Sequence, residues 1–404
     1  MAVTLQTIAE QHFPGFAASR RLPPQMHRAA WAVKHCRTRE LGGHVNSCPD
    51  GHFHQIAYNS CRHRSCPQCS WLPKERWLDG WRKRLLPCPH HHVIFTVPHE
   101  LNEIWRRNKA AFADTLFAAA SQTLVELLGD AKFLGGRVGI LAALHTWNQE
   151  LQEHVHLHTI VTAGGLGEDG SWKKPRKKCL LPRKVLMIKF RGKFKAMLRE
   201  KVRQGRIKLP AWMSLEDFDG LLKQLMGVPW NVKVYDAYRD GVSVAMYLAR
   251  YIKGGPIGNS RVISLEDGEV AFRYRLPARR GGDGKRQSIK RLPVDAFLSR
   301  WLEHVPPKRF QTVRGYGLYS GNQHSRWQQA AEALGIGEVW PPEQQRSWQE
   351  WCEAAGLSEA CRCPLCGKQL ISHHEFAAGR GPPIAAWLYV PKLKQSIVAG
   401  GKIA

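Results

Sequence analysis

The chain has 404 residues, 43% of them hydrophobic, which is enough length for two or three domains and enough apolar content for a buried core, and so excludes dominant disorder. Its 60 Lys and Arg against 33 Asp and Glu leave a formal charge of +27, the balance of a protein that faces a polyanion such as nucleic acid. No run of about eighteen apolar residues is present to cross a membrane, and the start MAVTLQTIAEQHFPGF lacks a signal peptide's basic-then-apolar order, so a cytoplasmic protein with no membrane partner is expected.

In chain order, the pattern predicts an N-terminal helical segment over residues 1–30 and a zinc-binding domain over 31–75. Residues 22–36 open with prolines and then place apolar residues at helical spacing, so a short helix leads into the domain. Eleven cysteines without an export signal do not suggest a disulfide framework; their clustering suggests metal. Cys66-Pro-Gln-Cys69 has the two-residue spacing that turns both thiolates toward one tetrahedral Zn2+. A second pair must come from across a hairpin. Cys48 supplies one ligand, but Gly51 stands where its partner cysteine is expected. His52 or His54 can take that role, and Cys61 or His63 can also reach the metal. The expected ribbon is therefore drawn from Cys48, His52, Cys61, Cys66 and Cys69, with Cys36 just upstream.

The main domain is expected over 76–325. Residues 74–87 predict a helix, 90–101 a strand with a β-branched core, and 102–130 one helix or two. Residues 136–147 and 154–165 are strand-like and flank a polar stretch, which predicts a hairpin. A basic helical insertion is expected at about 171–227. Residues 171–208 hold sixteen Lys and Arg and one acid, Glu200. That bias points to a phosphate-backbone surface, with Lys173, Lys174, Arg176, Lys177, Lys178, Arg191 and Lys193 as contacts, joined by Arg62 and Arg64 of the zinc domain. Further on come a strand (228–238), a helix (241–257) ended by Gly254-Gly255-Pro256, a hairpin (262–277) turning at Glu266-Asp267-Gly268, and a helix (292–305). The C-terminal helical region, 326–404, carries a second knuckle, Cys363-Pro-Leu-Cys366, whose completing ligands are sought among Cys361, Cys352, His373 and His374; Cys361, Cys363, Cys366 and His373 form the expected set. The fold class is α+β, a central antiparallel sheet flanked by helices.

Two features carry chemistry. His154-Val155-His156-Leu157-His158 lies on a strand, where alternate residues share a face, so His156 and His158 can chelate a divalent cation. With a six-residue hairpin loop pairing Trp147 with His154, His145 falls opposite His156 and becomes the third candidate ligand; Gln149 or Glu150 serves in another register. Tyr247 and Tyr251 are one helical turn apart, with Arg250 and Lys253 on the same helix. Together these residues describe phosphodiester transfer in which Mg2+ or Mn2+ at the histidines polarises the phosphate and a tyrosine attacks it.

At this point the sequence resembles a known family. HTWNQELQEHVHLHTIVTAGG is similar to the histidine-hydrophobe-histidine segment of HUH endonucleases, and YLARYIKGGPI resembles the paired-tyrosine helix of the two-tyrosine rolling-circle transposases, the insertion-sequence 91 family. CRTRELGGHVNSCPDGHFHQIAYNSCRHRSCPQC resembles that family's zinc-binding region, from which Gly51 departs, and RFQTVRGYGLYS its later segment. The resemblance spans roughly residues 20–325. It implies an HUH-type core, metal ligands His156 and His158, nucleophiles Tyr247 and Tyr251, nicking of single-stranded DNA at element ends (a hairpin or terminal sequence) and transfer into target DNA through a 5′-phosphotyrosine. Two other readings are a plasmid rolling-circle initiator or relaxase with the same chemistry, and a non-catalytic zinc-dependent DNA-binding regulator. The absence of a GxxxxGK[ST] loop argues against a fused helicase.

Overall fold

The computed structural model describes residues 2–175, 180–239, 241, 245–246, 255–276, 286–336 and 346–380. Helices α1 (Leu5–Ala18) and α2 (Pro24–Lys34) precede strands β1 (Gly43–Ser47) and β2 (His54–Tyr58). Then come α3 (Trp71–Arg82), β3 (His90–Thr96), α4 (Asn102–Arg107), α5 (Lys109–Gly129), β4 (Gly139–Trp147) and β5 (Glu153–Thr162). A short pair, β6 (Gly165–Leu166) and β7 (Trp172–Lys173), leads to α6 (Arg183–Arg203), α7 (Leu215–Gly227) and β8 (Val232–Val234). Strands β9 (Val262–Glu266), β10 (Glu269–Arg275) and β11 (Gln287–Pro293) precede α8 (Val294–Glu303), β12 (Val313–Gly317), α9 (His324–Ala333), α10 (Trp348–Ala354) and β13 (Ile371–Phe376).

The chain divides into two units, each built from separated segments. One comprises Met1–Glu75, Lys253–Val305 and Glu343–Ala404; the other comprises Arg76–Ile252 and Pro306–Pro342. This division differs from the expected run of 76–325. The β9–β11 meander and α8 fall in the first unit, and the C-terminal region does not stand apart, because β13 pairs with β1.

The second unit is built on a five-stranded antiparallel sheet in the order β12-β4-β5-β3-β8. Val155, Leu157 and Val161 of β5, with Val93, Phe95, Ile140 and Leu144, face a core completed by α5, α6 and α7. Helix α6 contributes Leu186, Phe190, Phe194, Leu198 and Val202, all at four-residue steps, which is one helical stripe. The helical stretch 102–130 breaks at Asn108, whose side chain donates to the carbonyls of Ile104 (2.9 Å) and Lys208 (2.7 Å) and accepts from the Lys208 N–H (2.8 Å). The sheet's other face buries Leu141, Ala143 and Ile160 with Leu78, Leu318 and Trp327.

The first unit holds two three-stranded sheets, β13-β1-β2 and β11-β10-β9. Helix α1 packs on α2 and α8, helped by an Arg20–Asp295 ion pair at 2.8 Å. No helix among the described residues is long and apolar enough to cross a membrane.

Candidate functional site

Strand β5 directs Val155, Leu157 and Val161 into the helical core, so its alternate residues His154, His156 and His158 point to the opposite face. Across the sheet, His156 lies opposite His145 and Thr96, and His158 opposite Ala143 and Ile94. The hairpin end differs from the expected register: Trp147 pairs with Glu153 rather than His154, through an irregularity between His145 and Trp147. The turn is set by Asn148, whose Oδ1 accepts the N–H groups of Glu150 and Gln152, both at 2.9 Å, while Leu151 takes a positive φ of 62°. Gln149 and Glu150 thus belong to the turn, and His145 is the residue that joins the histidine pair.

The three imidazoles converge. His145 Nδ1 is 3.0 Å from His156 Nε2, which is 3.0 Å from His158 Nε2, and one nitrogen from each lies within 4.8 Å of the others. The His156 Nδ1–H donates to the His154 carbonyl at 2.6 Å, which leaves Nε2 of His156 as a bare lone pair. His158 Nδ1 meets His92 Nε2 at 2.8 Å; with that proton directed at His92, Nε2 of His158 is also bare. In that tautomer the two Nε2 lone pairs face each other 3.0 Å apart, a donor set that fits a divalent metal; with the His158 proton on Nε2 the same pair makes an N–H···N hydrogen bond. Burial lowers the His92 pKa to about 4 and that of His156 to about 3, and takes His158 well below its ordinary value. All three are therefore neutral near pH 7, the form that ligates metals. His92 stacks on His158 at 5.1 Å and on Tyr235 at 5.2 Å, and Trp147 stands edge-on to His145 at 4.1 Å, so the rings are held in place.

Gly241 and Ala245, from the expected helix over 241–257, lie against this same face. Residues 241, 245 and 246 are helical. Gly241 lies against His90, where a Cβ would come within 2.8 Å of the ring, and Ala245 is fully buried among Leu141, Ala143 and Ile160. Tyr247, Tyr251, Arg250 and Lys253 lie outside the described residues, as do Arg176, Lys177 and Lys178.

The cysteines form two groups, and these correct the expected ligand sets. Cys36, Cys61, Cys66 and Cys69 offer four sulfurs within 4.8 Å of one another, with Cys61 and Cys69 3.6 Å apart. Hydrogen bonds from Cys61, then from Cys66 and Cys69, draw the Cys36 thiol strongly toward its ionised form, and the His63 N–H reaches Cys61 Sγ at 3.4 Å. Four converging sulfurs with a backbone donor are a fitting tetrahedral zinc site. Cys36 completes it because the turn after α2 brings that residue beside the Cys61–Cys69 loop. Cys48 and His52 belong instead with Cys363 and Cys366. Cys361 faces Cys352, whose thiol burial pushes up to about 12, and His373 is drawn to the Ser47 hydroxyl by the β1–β13 pairing. Neither joins the Cys363–Cys366 pair.

Comparison with known proteins identifies this combination. A family model described as "Putative transposase" matches residues 139–326, and one described as "Transposase zinc-binding domain" matches residues 8–97. The chain is 34% identical over 372 residues to "Putative transposase y4qJ" of Sinorhizobium fredii, covering 90% of this chain and 92% of that protein. The chain belongs to the insertion-sequence 91 family of transposases. It is also 28% identical to "Transposase for insertion sequence element IS801" of Pseudomonas savastanoi pv. phaseolicola, over 83% of this chain and 80% of that protein. No solved structure matches it significantly.

In this transposase the basic surface is partly engaged within the molecule. Lys173 pairs with Asp169 at 2.6 Å, and Lys193 pairs with Glu126. Arg191 donates to the carbonyls of Met226 (2.6 Å) and Val228 (3.0 Å) at the end of α7. Arg64 is half-buried and its pKa is lowered by desolvation, whereas Arg62 and Lys174 are exposed. Lys189 pairs at 2.9 Å with the same Glu126, whereas exposed Arg183, Lys184 and Arg203 extend the positive face along α6. Sequence reasoning missed His92. The signal was the His90-His91-His92 run on a strand, but only the pairing of β3 with β5 selects which of the three reaches His158.

Proposed function

We propose that this transposase nicks single-stranded DNA at element ends and transfers the cut strand through a 5′-phosphotyrosine, as an HUH-type enzyme. One observation carries the proposal: His145, His156 and His158 are buried and convergent on one face of the sheet. They would hold a divalent cation. Bound there, the cation would supply Lewis-acid polarisation of the scissile phosphate and offset its developing charge. An all-imidazole set suits Mn2+ better than Mg2+, which prefers oxygen ligands. His92 fixes the His158 ring, and the His154 carbonyl fixes that of His156.

The proposed nucleophiles are Tyr247 and Tyr251. Gly241 and Ala245 both lie against the histidine face, and this supports the assignment because the segment that continues to Tyr247 reaches that face. A phenol loses its proton to solvent, and its oxygen attacks phosphorus. The P–O3′ bond breaks, and the departing oxygen takes up a proton to leave a 3′-hydroxyl, while the 5′-phosphate stays on tyrosine. Attack by a 3′-hydroxyl reverses the step and rejoins strands without external energy, and a second tyrosine allows two linked transfers. The exposed basic face of α6, with Arg62 and Lys174, is proposed to track the phosphate backbone. A replication initiator or relaxase shares this chemistry; the relatives' names favour transposition.

The test is cleavage of single-stranded end DNA with Mn2+ or Mg2+. His156→Ala and His158→Ala are expected to lower cleavage at least about 100-fold while DNA binding stays within a few-fold of the parent. Equal loss of cleavage and binding would assign the histidines a structural role and remove the proposal's support.

A further inference from the structure

Cys48, His52, Cys363 and Cys366 come from opposite ends of the chain, yet they share one place in the first unit. Cys48 Sγ lies 3.4 Å from Cys366 Sγ, across 318 residues of sequence, and 3.9 Å from His52 Nδ1. All four donor atoms lie within 4.8 Å of one another. Sulfurs on a tetrahedral zinc with bonds of about 2.3 Å sit about 3.8 Å apart, so little movement is needed to seat the ion.

The two halves of the site are matched knuckles. In Cys48-Pro-Asp-Gly-His52-Phe53, the Cys48 N–H donates to the Phe53 carbonyl at 2.8 Å and Gly51 turns the chain at φ 72°. In Cys363-Pro-Leu-Cys366-Gly-Lys368, the Cys363 N–H donates to the Lys368 carbonyl at 2.8 Å and Gly367 turns at the same φ, 72°. The first knuckle has its glycine one position earlier, which moves its second ligand to His52 and accounts for the missing cysteine at position 51. Three further contacts hold the knuckles together. Asp50 pairs with Lys368 at 2.8 Å, Cys48 and Cys363 are buried with Leu370 beside Phe53, and β13 adds to β1.

We propose that Cys48, His52, Cys363 and Cys366 bind a structural zinc ion separate from that of the Cys36, Cys61, Cys66 and Cys69 cluster, and that it clasps the C-terminal knuckle and β13 onto the N-terminal sheet. Three thiolates and one imidazole are a common structural zinc set. The proposal is independent of the DNA chemistry above.

The test uses the full chain, with metal content measured per chain and Co2+ as the spectroscopic probe. Cys48→Ser, Cys363→Ser and the Cys48→Ser/Cys363→Ser double variant should each hold one zinc fewer than the parent. A double variant lacking two, or a Cys363→Ser protein lacking none, overturns the shared site. His52→Cys provides a check that keeps four ligands in place. Its cobalt form should retain the parent metal content and gain thiolate-to-metal absorption as the site passes from three thiolates to four. An unchanged spectrum overturns the assignment of His52.

Discussion

A neutral imidazole can bind a cation only through a nitrogen that carries no proton, so whatever accepts the other nitrogen's proton decides whether it is a ligand. For His156 the acceptor is a backbone carbonyl; for His158, in the tautomer that binds a cation, it is the ring of His92. His92→Leu removes that acceptor and is expected to raise the Mn2+ concentration for half-maximal cleavage about 10–100-fold, with the rate at saturating Mn2+ little changed. A metal titration of cleavage reads both quantities, and loss of rate with unchanged metal affinity would contradict the positioning role. The buried rings also set a pH dependence. The His92 and His156 pKa values fall from an ordinary 6.5 to about 4 and about 3, so the unfolded chain takes up protons first as pH drops. Their contribution is complete above pH 6.5 and declines below it, by up to about 1.4 kcal/mol per pH unit for each ring. Urea unfolding without added divalent cation should show lower stability at pH 5.5 than at 7.5, and equal values would contradict burial as neutral rings. The candidate ligands were legible at this scale because period-two spacing and hairpin pairing are local. His92 was not, because its partner lies 66 residues away on a strand whose register no local pattern fixes.

At the scale of elements, α6 combines two roles that its sequence displays openly. Every fourth residue is apolar and buried, and much of the remaining surface is basic and exposed. Phe194→Ala should cost about 3–5 kcal/mol of stability, read by denaturant unfolding. Arg183→Glu with Lys184→Glu should leave that stability within about 1 kcal/mol, weaken single-stranded DNA binding, and flatten its salt dependence by about one unit per lost phosphate contact. An unchanged salt slope would remove α6 from the DNA surface. Lys193 and Arg191 are weaker candidates than their charge suggested, since an acid or carbonyl partner already engages each. Helix spacing was readable here, and a second helix in 102–130 was allowed for, whereas the position of the break at Asn108 and the shortness of β8 were not, because Asn108 is held by Lys208 and β8 is only an edge strand on β3.

For the whole molecule, what escaped the sequence is long-range. An independent 326–404 region followed from its spacing along the chain, but β13 completes a sheet that begins at Gly43, and Cys363 meets Cys48. No local pattern encodes a pairing across more than three hundred residues. The family, the α+β class and the histidine strand were legible because each rests on contiguous motifs. The charge of +27 predicts DNA binding that weakens steeply with salt, while cleavage should follow the divalent cation. The central claim is that the histidine face serves a tyrosine nucleophile. Its most direct measurement is peptide mapping of the parent chain after reaction with 5′-labelled and 3′-labelled end DNA and Mn2+ under denaturing conditions. The expected result is a DNA 5′-phosphate on Tyr247 or Tyr251, absent from the Tyr247→Phe/Tyr251→Phe double variant. A DNA adduct on another residue, or cleavage by the double variant at the parent rate, would contradict the claim.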